Sequence, residues 1–103
     1  MYLVKKKTLA DFWSVHPETE QPLLAWIKHV KDANWRSMND VQNDFSKAKV
    51  LNAERARFEI CGGNYRLVVS FAFKSEGGGF VYVKFIGTHG QYDRIDALTV
   101  NDY

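Results

Sequence analysis

From residue 55 to residue 88, apolar and polar residues alternate along the chain, and this period-two pattern constrains the fold more than any other feature. The pattern is interrupted twice, by Gly62-Gly63 and by the glycine-rich stretch at residues 75–79. Alternation is typical of strands that bury one face, and glycine pairs between such strands are typical of hairpin turns. We therefore predict three antiparallel strands, at residues 55–61, 64–74 and 80–88.

Before residue 55, the apolar residues recur at helical spacing instead. Residues 2–6 are β-prone and rich in lysine, which suits a strand at the edge of a sheet. A first helix is expected to run from a Thr8 cap to His16-Pro17, because proline disfavours helical backbone in the residue before it. A second helix is predicted for residues 18–32, with Pro22 in its first turn. Its buried stripe comprises Leu23, Leu24, Trp26, Ile27 and Val30.

A third, shorter helix is expected from a Ser37 cap to Phe45, with Lys47 and Lys49 following on an exposed connector. The inward face of this helix comprises Met38, Val41 and Phe45. The predicted fold class is α+β, with two N-terminal helices packed on a twisted, mainly antiparallel sheet. The expected element order is β-α-α-(α)-β-β-β with a short C-terminal segment.

The composition is that of a single globular domain spanning residues 1–103. Hydrophobic residues make up 46% of the chain and charged residues 25%, both ordinary values for such a domain. The one cysteine excludes an internal disulfide and a thiolate metal cluster, and it fits a reducing compartment. No apolar run approaches the about 20 residues that span a bilayer, and the N-terminal one is too short for a signal peptide. These observations predict a cytoplasmic protein without a membrane segment.

The turns give an estimate of the sheet register. The glycine-pair turn puts Arg55 opposite Ser70, and the second loop puts Ser70 opposite Lys84 and Arg66 opposite Thr88. The predicted buried face comprises Phe58, Ile60, Tyr65, Leu67, Val69, Phe71, Phe73, Val81, Val83 and Phe85. The predicted outer face comprises Arg55, Arg57, Glu59, Arg66, Ser70, Tyr82 and Lys84, with Val68, Ala72 and Ile86 between them.

Four cations thus share the predicted outer face, and His89 and Tyr92 follow at its end. A formal net charge of +2 does not by itself indicate a polyanionic partner, so any positive field must come from this folding pattern. Two interpretations remain open: an anion-binding face, or an ordinary solvated face in which Glu59 pairs with Arg66 across the strands. No group of His, Cys and Asp residues has metal-ligand spacing, so we predict neither a metal nor another cofactor.

Cations with histidine and tyrosine, and without a metal, suit the cleavage of RNA phosphodiester bonds. The 2′-hydroxyl of the substrate is the nucleophile, so the protein needs only a base, an acid and cations for the charge that develops on phosphorus. Arginine binds phosphate bidentately, whereas lysine acts as a point charge. An imidazole that titrates near ~6.5 transfers protons at neutral pH, and a tyrosine near ~10 is better suited to orienting or stacking.

Two motifs carry a resemblance to a known family: GGNYRLV at residues 62–68 and the ending THGQYD at residues 88–93, which fits a THxxYD pattern. Together with MYLVKKKTLADFWSVHP and PLLAWIKHV in the first half, they make the chain resemble HigB-type toxins of bacterial toxin–antitoxin pairs, within the RelE/ParE superfamily. The resemblance implies a RelE-like fold and an endonuclease that cleaves mRNA being translated on the ribosome. It also implies neutralisation by an antitoxin that carries a helix-turn-helix domain.

The resemblance also implies roles for individual residues. Arg66 matches the phosphate-binding arginine of the superfamily, Lys84 stands where a second cation, often arginine, is found, and His89 and Tyr92 match the THxxYD ending. Gly90-Gln91 replaces the bulkier or acidic pair that many members carry. The predicted catalytic residues are therefore Arg66, Lys84, His89 and Tyr92. The predicted RNA-binding residues are Lys47, Lys49, Arg55 and Arg57.

The leading hypothesis is therefore a metal-independent, ribosome-dependent mRNA endonuclease. Its expected partners are mRNA on the ribosome and a helix-turn-helix, HigA-like antitoxin encoded by a neighbouring gene. One alternative is a binding module of the same fold that holds RNA or an acidic partner without cleaving, which the lysine at position 84 favours. A second alternative is a ParE-like toxin directed at gyrase, against which the His/Tyr ending counts.

Overall fold

The chain begins with a short strand, β1 (Tyr2–Val4), that leads within one residue into helix α1 (Lys6–Val15) in the computed structural model, which describes residues 1–103. Lys5 makes this junction in the left-handed region, with φ 72°. Because the helix begins immediately after Lys5, Thr8 already lies in its first turn, and the prediction that Thr8 caps the helix is wrong. The predicted end at His16 is confirmed.

A single 3-10 turn (Pro17–Thr19) connects α1 to the second helix, α2 (Glu20–Asp32), and together they account for the predicted residues 18–32. The buried stripe of α2 comprises Leu23, Trp26, Ile27 and Val30. Leu24 was expected in this stripe but is 37% exposed, because it lies about 100° around the helix from Leu23.

The third helix, α3 (Met38–Asp44), follows Ser37 as predicted, with Val41 buried. Ser37 makes no side-chain capping bond. Asp40 instead accepts a hydrogen bond from the backbone N–H of Arg36 at 2.8 Å. The indole of Trp35 donates to the Asp44 carboxylate at 2.7 Å, which attaches the helix to the buried aromatic residues below it.

Four further strands complete a five-stranded sheet: β2 (Lys49–Val50), β3 (Arg55–Ile60), β4 (Tyr65–Phe73) and β5 (Gly79–Thr88). The order is β1-β5-β4-β3-β2, with β1 parallel to β5 and all other pairs antiparallel. The three predicted strands and the edge position of β1 are confirmed. The connector at Lys49 is a short second edge strand that the sequence did not indicate. A one-turn helix, α4 (His89–Tyr92), follows β5.

The register of the first hairpin is confirmed, with Arg55 opposite Ser70. The register of the second hairpin is wrong: Ser70 lies opposite Tyr82 rather than Lys84. A β-bulge then leaves Lys84 without a partner, because Val69 pairs with Val83 and Val68 pairs with Phe85. Arg66 consequently lies opposite Gly87 rather than Thr88.

Because of the bulge, two apolar side chains lie on the opposite faces of the sheet from those predicted. Ile86 belongs to the hydrophobic core, whereas Phe85 lies outside that core and packs against Tyr92 at 6.2 Å between ring centroids. This is the reverse of the predicted placement, because one extra residue changes the face of every side chain that follows it. The core itself joins one face of the sheet to the helices through Leu9, Leu23, Ile27, Val30, Leu67, Val69, Val81 and Val83.

Residues 93–103, the C-terminal segment, cross the outer face of the sheet. Arg55 donates hydrogen bonds to the carbonyls of Ala97 and Val100 at 3.0 and 2.8 Å, and the Asp102 N–H donates to the Lys84 carbonyl at 3.0 Å. The architecture of four helices and a five-stranded, mostly antiparallel sheet is compatible with a RelE-like fold. No helix has the length and apolar character needed to cross a bilayer.

Candidate functional site

Arg66 is the most buried charged residue of the protein, with 9% of its surface exposed. Its guanidinium donates a hydrogen bond to the Gly63 carbonyl at 2.7 Å and lies 3.3 Å from the Glu59 carboxylate. Gly63 has a φ of 97°, and a Cβ on it would lie 3.1 Å from the Arg66 guanidinium. The glycine turn therefore provides both the acceptor and the space that hold this arginine at the end of the hairpin.

A second arginine shares the same carboxylate. Arg57 lies 3.4 Å from Glu59, on the same oxygen, Oε1, that Arg66 approaches. The Nε atoms of Arg57 and Arg66 are both buried and have no hydrogen-bond partner in the protein. Two guanidiniums that share one partly exposed carboxylate are an arrangement in which a phosphate can take the place of that carboxylate.

The aromatic ring of Tyr92 completes this group. The guanidinium carbons of Arg57 and Arg66 lie 5.7 and 6.0 Å from the ring centroid, within the range of cation–π attraction. We call Arg57, Glu59, Arg66 and Tyr92 the arginine–tyrosine cluster. It combines residues from β3, β4 and α4, so it exists only in the folded sheet.

Helix α4 is fixed to the sheet by a capping box. The Gln91 N–H donates to the Thr88 hydroxyl at 3.1 Å, and the Thr88 N–H donates to the Gln91 side chain at 2.8 Å. The His89 N–H donates to the Asn64 carbonyl at 3.0 Å, which ties α4 to the glycine turn. Gly87 lies below Gln91, and a Cβ there would lie 2.6 Å from the Gln91 oxygen. These contacts position His89 and Tyr92.

His89 lies at the exposed edge of the site, one helical turn from Tyr92. Its Nδ1 is 3.5 Å from the Asp93 carboxylate, and both side chains are more than half exposed. Asp93 therefore favours one orientation of the imidazole, and solvent screens the pair. An exposed imidazole beside an anion site has access both to a ligand and to protons from water.

Lys84 and Arg55 are separated from the cluster by their contacts. Lys84 Nζ donates to the Asn101 side chain at 2.9 Å and lies 5.6 Å from the ring of Tyr82. Arg55 is bound to carbonyls of the C-terminal segment. Of the eight predicted site residues, the fold brings Arg57, Arg66 and Tyr92 together and places His89 one helical turn from Tyr92. Lys84 and Arg55 are instead bound to the C-terminal segment.

The two remaining predicted RNA-binding residues lie beside the cluster on β2 and the loop before it. Lys49 is exposed and pairs in register with Arg57, so its side chain lies on the same face of the sheet. Lys47 is also exposed and, with Glu59 and Phe45, lines a groove of about 460 Å³. These lysines extend the positive surface from the cluster to the edge of the sheet.

The sequence indicated some parts of this site and not others. Glu59 was placed opposite Arg66 by the predicted register, which is confirmed, but it was interpreted only as a cross-strand pair. The capping box was missed although Thr88 and Gln91 have its S/T-x-x-E/Q spacing. Phe85 was missed because no residue pattern signalled the bulge that turns it toward Tyr92.

The polar groups on the opposite, helical side of the hairpin are poor candidates for chemistry. Burial raises the pKa of the Tyr65 phenol, and the nearby Glu18 raises it further, so this hydroxyl stays protonated at neutral pH. Burial, followed by the charge of Glu18, also raises the pKa of the Cys61 thiol. Cys61 is therefore not an activated nucleophile. No group of three or more His, Cys, Asp and Glu side chains is arranged to hold a metal ion.

The fold and the arginine–tyrosine cluster are compatible with the class of RelE-like toxins. Residues 19–95 match the family model of HigB toxins, described as the RelE-like toxic component of a toxin–antitoxin system. The match covers well over half of the chain, and the protein belongs to this family. A comparison with curated protein sequences gives no match. The match includes every residue of the arginine–tyrosine cluster and ends within the C-terminal segment.

Proposed function

We propose that this toxin is a metal-independent endoribonuclease that cleaves mRNA on the ribosome in the cytoplasm. The observation that carries the proposal is the pair of arginines, Arg57 and Arg66, held beside Tyr92 around one partly exposed carboxylate. Family membership supports the toxin role, and the geometry supports a phosphate ligand. RNA is the phosphate substrate that brings its own nucleophile, so no covalent group is required of the protein.

In this proposal the scissile phosphate binds between Arg57 and Arg66. Charge builds on its oxygens as the 2′-oxygen attacks, and the two fixed guanidiniums stabilise that charge. Because their positions are set by Gly63 and Tyr92 before RNA binds, little reorganisation is needed during the reaction. Arg57 therefore moves from the predicted role of backbone contact to that of a phosphate ligand.

His89 protonates the leaving 5′-oxygen, and Tyr92 stacks on a base or orients the 2′-hydroxyl. Lys47 and Lys49 hold the RNA backbone along the groove beside Glu59. Lys84 and Arg55 contact RNA only when the C-terminal segment releases them. Binding through these cations makes the affinity fall as salt concentration rises.

The proposal is tested by message cleavage in a purified translation reaction. Replacing Arg66 with alanine is expected to lower the cleavage rate about 10²–10³-fold, and His89→Ala about 10²–10⁴-fold. Arg36→Ala removes an exposed arginine beside α3 and is the matched control, with unchanged cleavage expected. Full activity of both the Arg66 and the His89 variants would remove these residues from the proposed site.

A binding module without cleavage is the second candidate. The observation that favours it is the attachment of Lys84 to Asn101, which takes one predicted catalytic cation away from the cluster. This candidate predicts RNA binding that depends on Arg66 and no fragments at any ribosome concentration. Growth arrest with message loss, when the toxin is expressed alone, would argue against it.

A toxin–antitoxin protein has an antitoxin partner. We propose that this partner is a HigA-like protein with a helix-turn-helix domain, encoded by the neighbouring gene, and that an acidic segment of it covers the positive face. Co-expression of the two proteins should abolish growth arrest and yield a complex that co-purifies. A neighbouring gene whose product neither binds the toxin nor restores growth would contradict this assignment.

A further inference from the structure

Glu59 is the one carboxylate inside the arginine–tyrosine cluster, and the proposed cleavage by Arg66 and His89 gives it no role. Its Oε1 is shared by the two guanidiniums at 3.3 and 3.4 Å, while 40% of the side chain remains exposed to solvent. A carboxylate held between two arginines occupies the position that the geometry otherwise offers to a phosphate. A substrate phosphate that displaces it takes over both ion pairs, so the two largely buried guanidiniums are not left without an anion.

We infer that Glu59 occupies the phosphate position in the free toxin and, once RNA displaces it, accepts the proton of the 2′-hydroxyl. This inference rests on the proposed nuclease function. Two observations support it: the carboxylate oxygen that Arg57 and Arg66 share, and the groove beside Glu59 into which the carboxylate can move. Glu59 is thereby a catalytic residue rather than a cross-strand pair alone.

The step balances without any further reactant. The 2′-O–H proton passes to Glu59, the 2′-oxygen forms a bond to phosphorus, and the bond from phosphorus to the 5′-oxygen breaks. The 5′-oxygen takes a proton from the imidazolium of His89. The products are a 2′,3′-cyclic phosphate and a 5′-hydroxyl, and proton exchange with water restores both side chains. In this step the carboxylate acts as the general base and the imidazolium as the general acid.

Several charged or titratable groups face Glu59, and any pH dependence must be interpreted with them in view. Arg57 and Arg66 contact it directly. The others line the two grooves that Glu59 borders, and they comprise Asp44, Lys47, His29 and Cys61.

The test compares wild type with Glu59→Gln in single-turnover message cleavage on ribosomes. Glutamine keeps the size and hydrogen bonds of glutamate but cannot accept the proton, so the rate is expected to fall about 10²–10⁴-fold. Hydroxide must then replace the carboxylate, so the ratio of wild-type to variant rate should fall about tenfold per pH unit between about pH 6 and 8. A merely structural role would lower the rate by a factor that does not change with pH.

Two further variants make the result specific. Glu59→Asp keeps a shorter carboxylate and should retain partial activity with the pH dependence of the wild type. Glu54→Gln changes an exposed glutamate outside the cluster and should cleave normally. Circular dichroism of each variant confirms folding before rates are compared.

Binding supplies an independent measurement. Glu59→Gln should bind RNA with a 2′-deoxy cleavage site up to about fivefold more tightly than wild type, because a neutral side chain competes less for the arginines. If wild type cleaves and Arg66→Ala does not, while Glu59→Gln cleaves like wild type, this inference alone is wrong. If wild type yields no fragments at all, the proposed nuclease function itself is wrong.

Discussion

At the scale of single residues, Arg66 explains why the glycine turn belongs to the site. A buried guanidinium is unfavourable unless its donors are used, and Gly63 and Glu59 provide two acceptors within 3.3 Å. The Arg66 Nε is buried and has no partner, so a phosphate would reach this arginine through the terminal nitrogen that faces Glu59. The Arg66 guanidinium is therefore held in place without a ligand, and its contact with Glu59 is the one that a phosphate can replace.

Gly63→Ala should damage both the fold and the site. At a φ of 97°, alanine is strained by about 1–2 kcal/mol, and its Cβ would lie 3.1 Å from the Arg66 guanidinium. We expect a lower free energy of unfolding in urea and a loss of message cleavage. Gly62→Ala is the matched control, because its φ of 65° is also positive but a Cβ there meets nothing within 4 Å. Equal loss of cleavage in both variants would show that strain alone, rather than contact with Arg66, is responsible.

The residue types of the site were predictable to different degrees. Arg66, His89 and Tyr92 were predicted because strand alternation and the THxxYD ending carry them. The position of Arg57 next to Arg66 was not predicted. The distance between the two guanidiniums depends on the directions of their side chains and on the carboxylate that they share. Sequence alternation places a side chain on a face but does not say which neighbour it contacts.

At the scale of elements, the bulge in β5 decides what surrounds Tyr92. It turns Phe85 to the outer face, under Tyr92, and returns Ile86 to the core. The first hairpin register was predicted correctly because a two-glycine turn leaves little freedom in pairing. The register predicted for the second hairpin was wrong, because five loop residues with three glycines do not define a register. A bulge also has no sequence signature of its own.

Helix α4 has only four residues, so its capping box should matter for the site. Gln91→Ala removes the side chain that accepts from the Thr88 N–H, at a cost of about 0.5–2 kcal/mol to the helix. We expect cleavage to fall about tenfold or more because His89 and Tyr92 lose their position. Gln91→Glu keeps the acceptor and should behave like wild type. Cleavage by Gln91→Ala at the wild-type rate would mean that β5 alone positions these residues.

At the scale of the whole molecule, the outer face divides into an open part and a covered part. The arginine–tyrosine cluster and the lysines of β2 lie in the open part. The C-terminal segment covers the region of Arg55 and Lys84, to which it is hydrogen-bonded. The sequence did not predict this cover, because residues 93–103 have neither helical nor strand periodicity, and the predicted positive face was correspondingly larger.

Deleting residues 97–103 should remove the acceptors of Arg55 and of the Lys84 ammonium. The affinity for a single-stranded RNA oligomer should rise at low salt, because Arg55 and Lys84 become available to phosphates. Asn101→Ala, which releases Lys84 alone, should give a smaller increase. Unchanged RNA affinity in the truncated protein would mean that the covered cations lie outside the RNA path.

The central claim is that the arginine–tyrosine cluster cleaves mRNA by attack of the 2′-hydroxyl. It is tested most directly by the chemistry of the fragment ends produced from a defined message on translating ribosomes. We predict 2′,3′-cyclic phosphate and 5′-hydroxyl ends with wild-type protein, and no such fragments with Arg66→Ala. Fragments that carry 5′-phosphate ends, or fragments that persist undiminished with the Arg66 variant, would contradict the account.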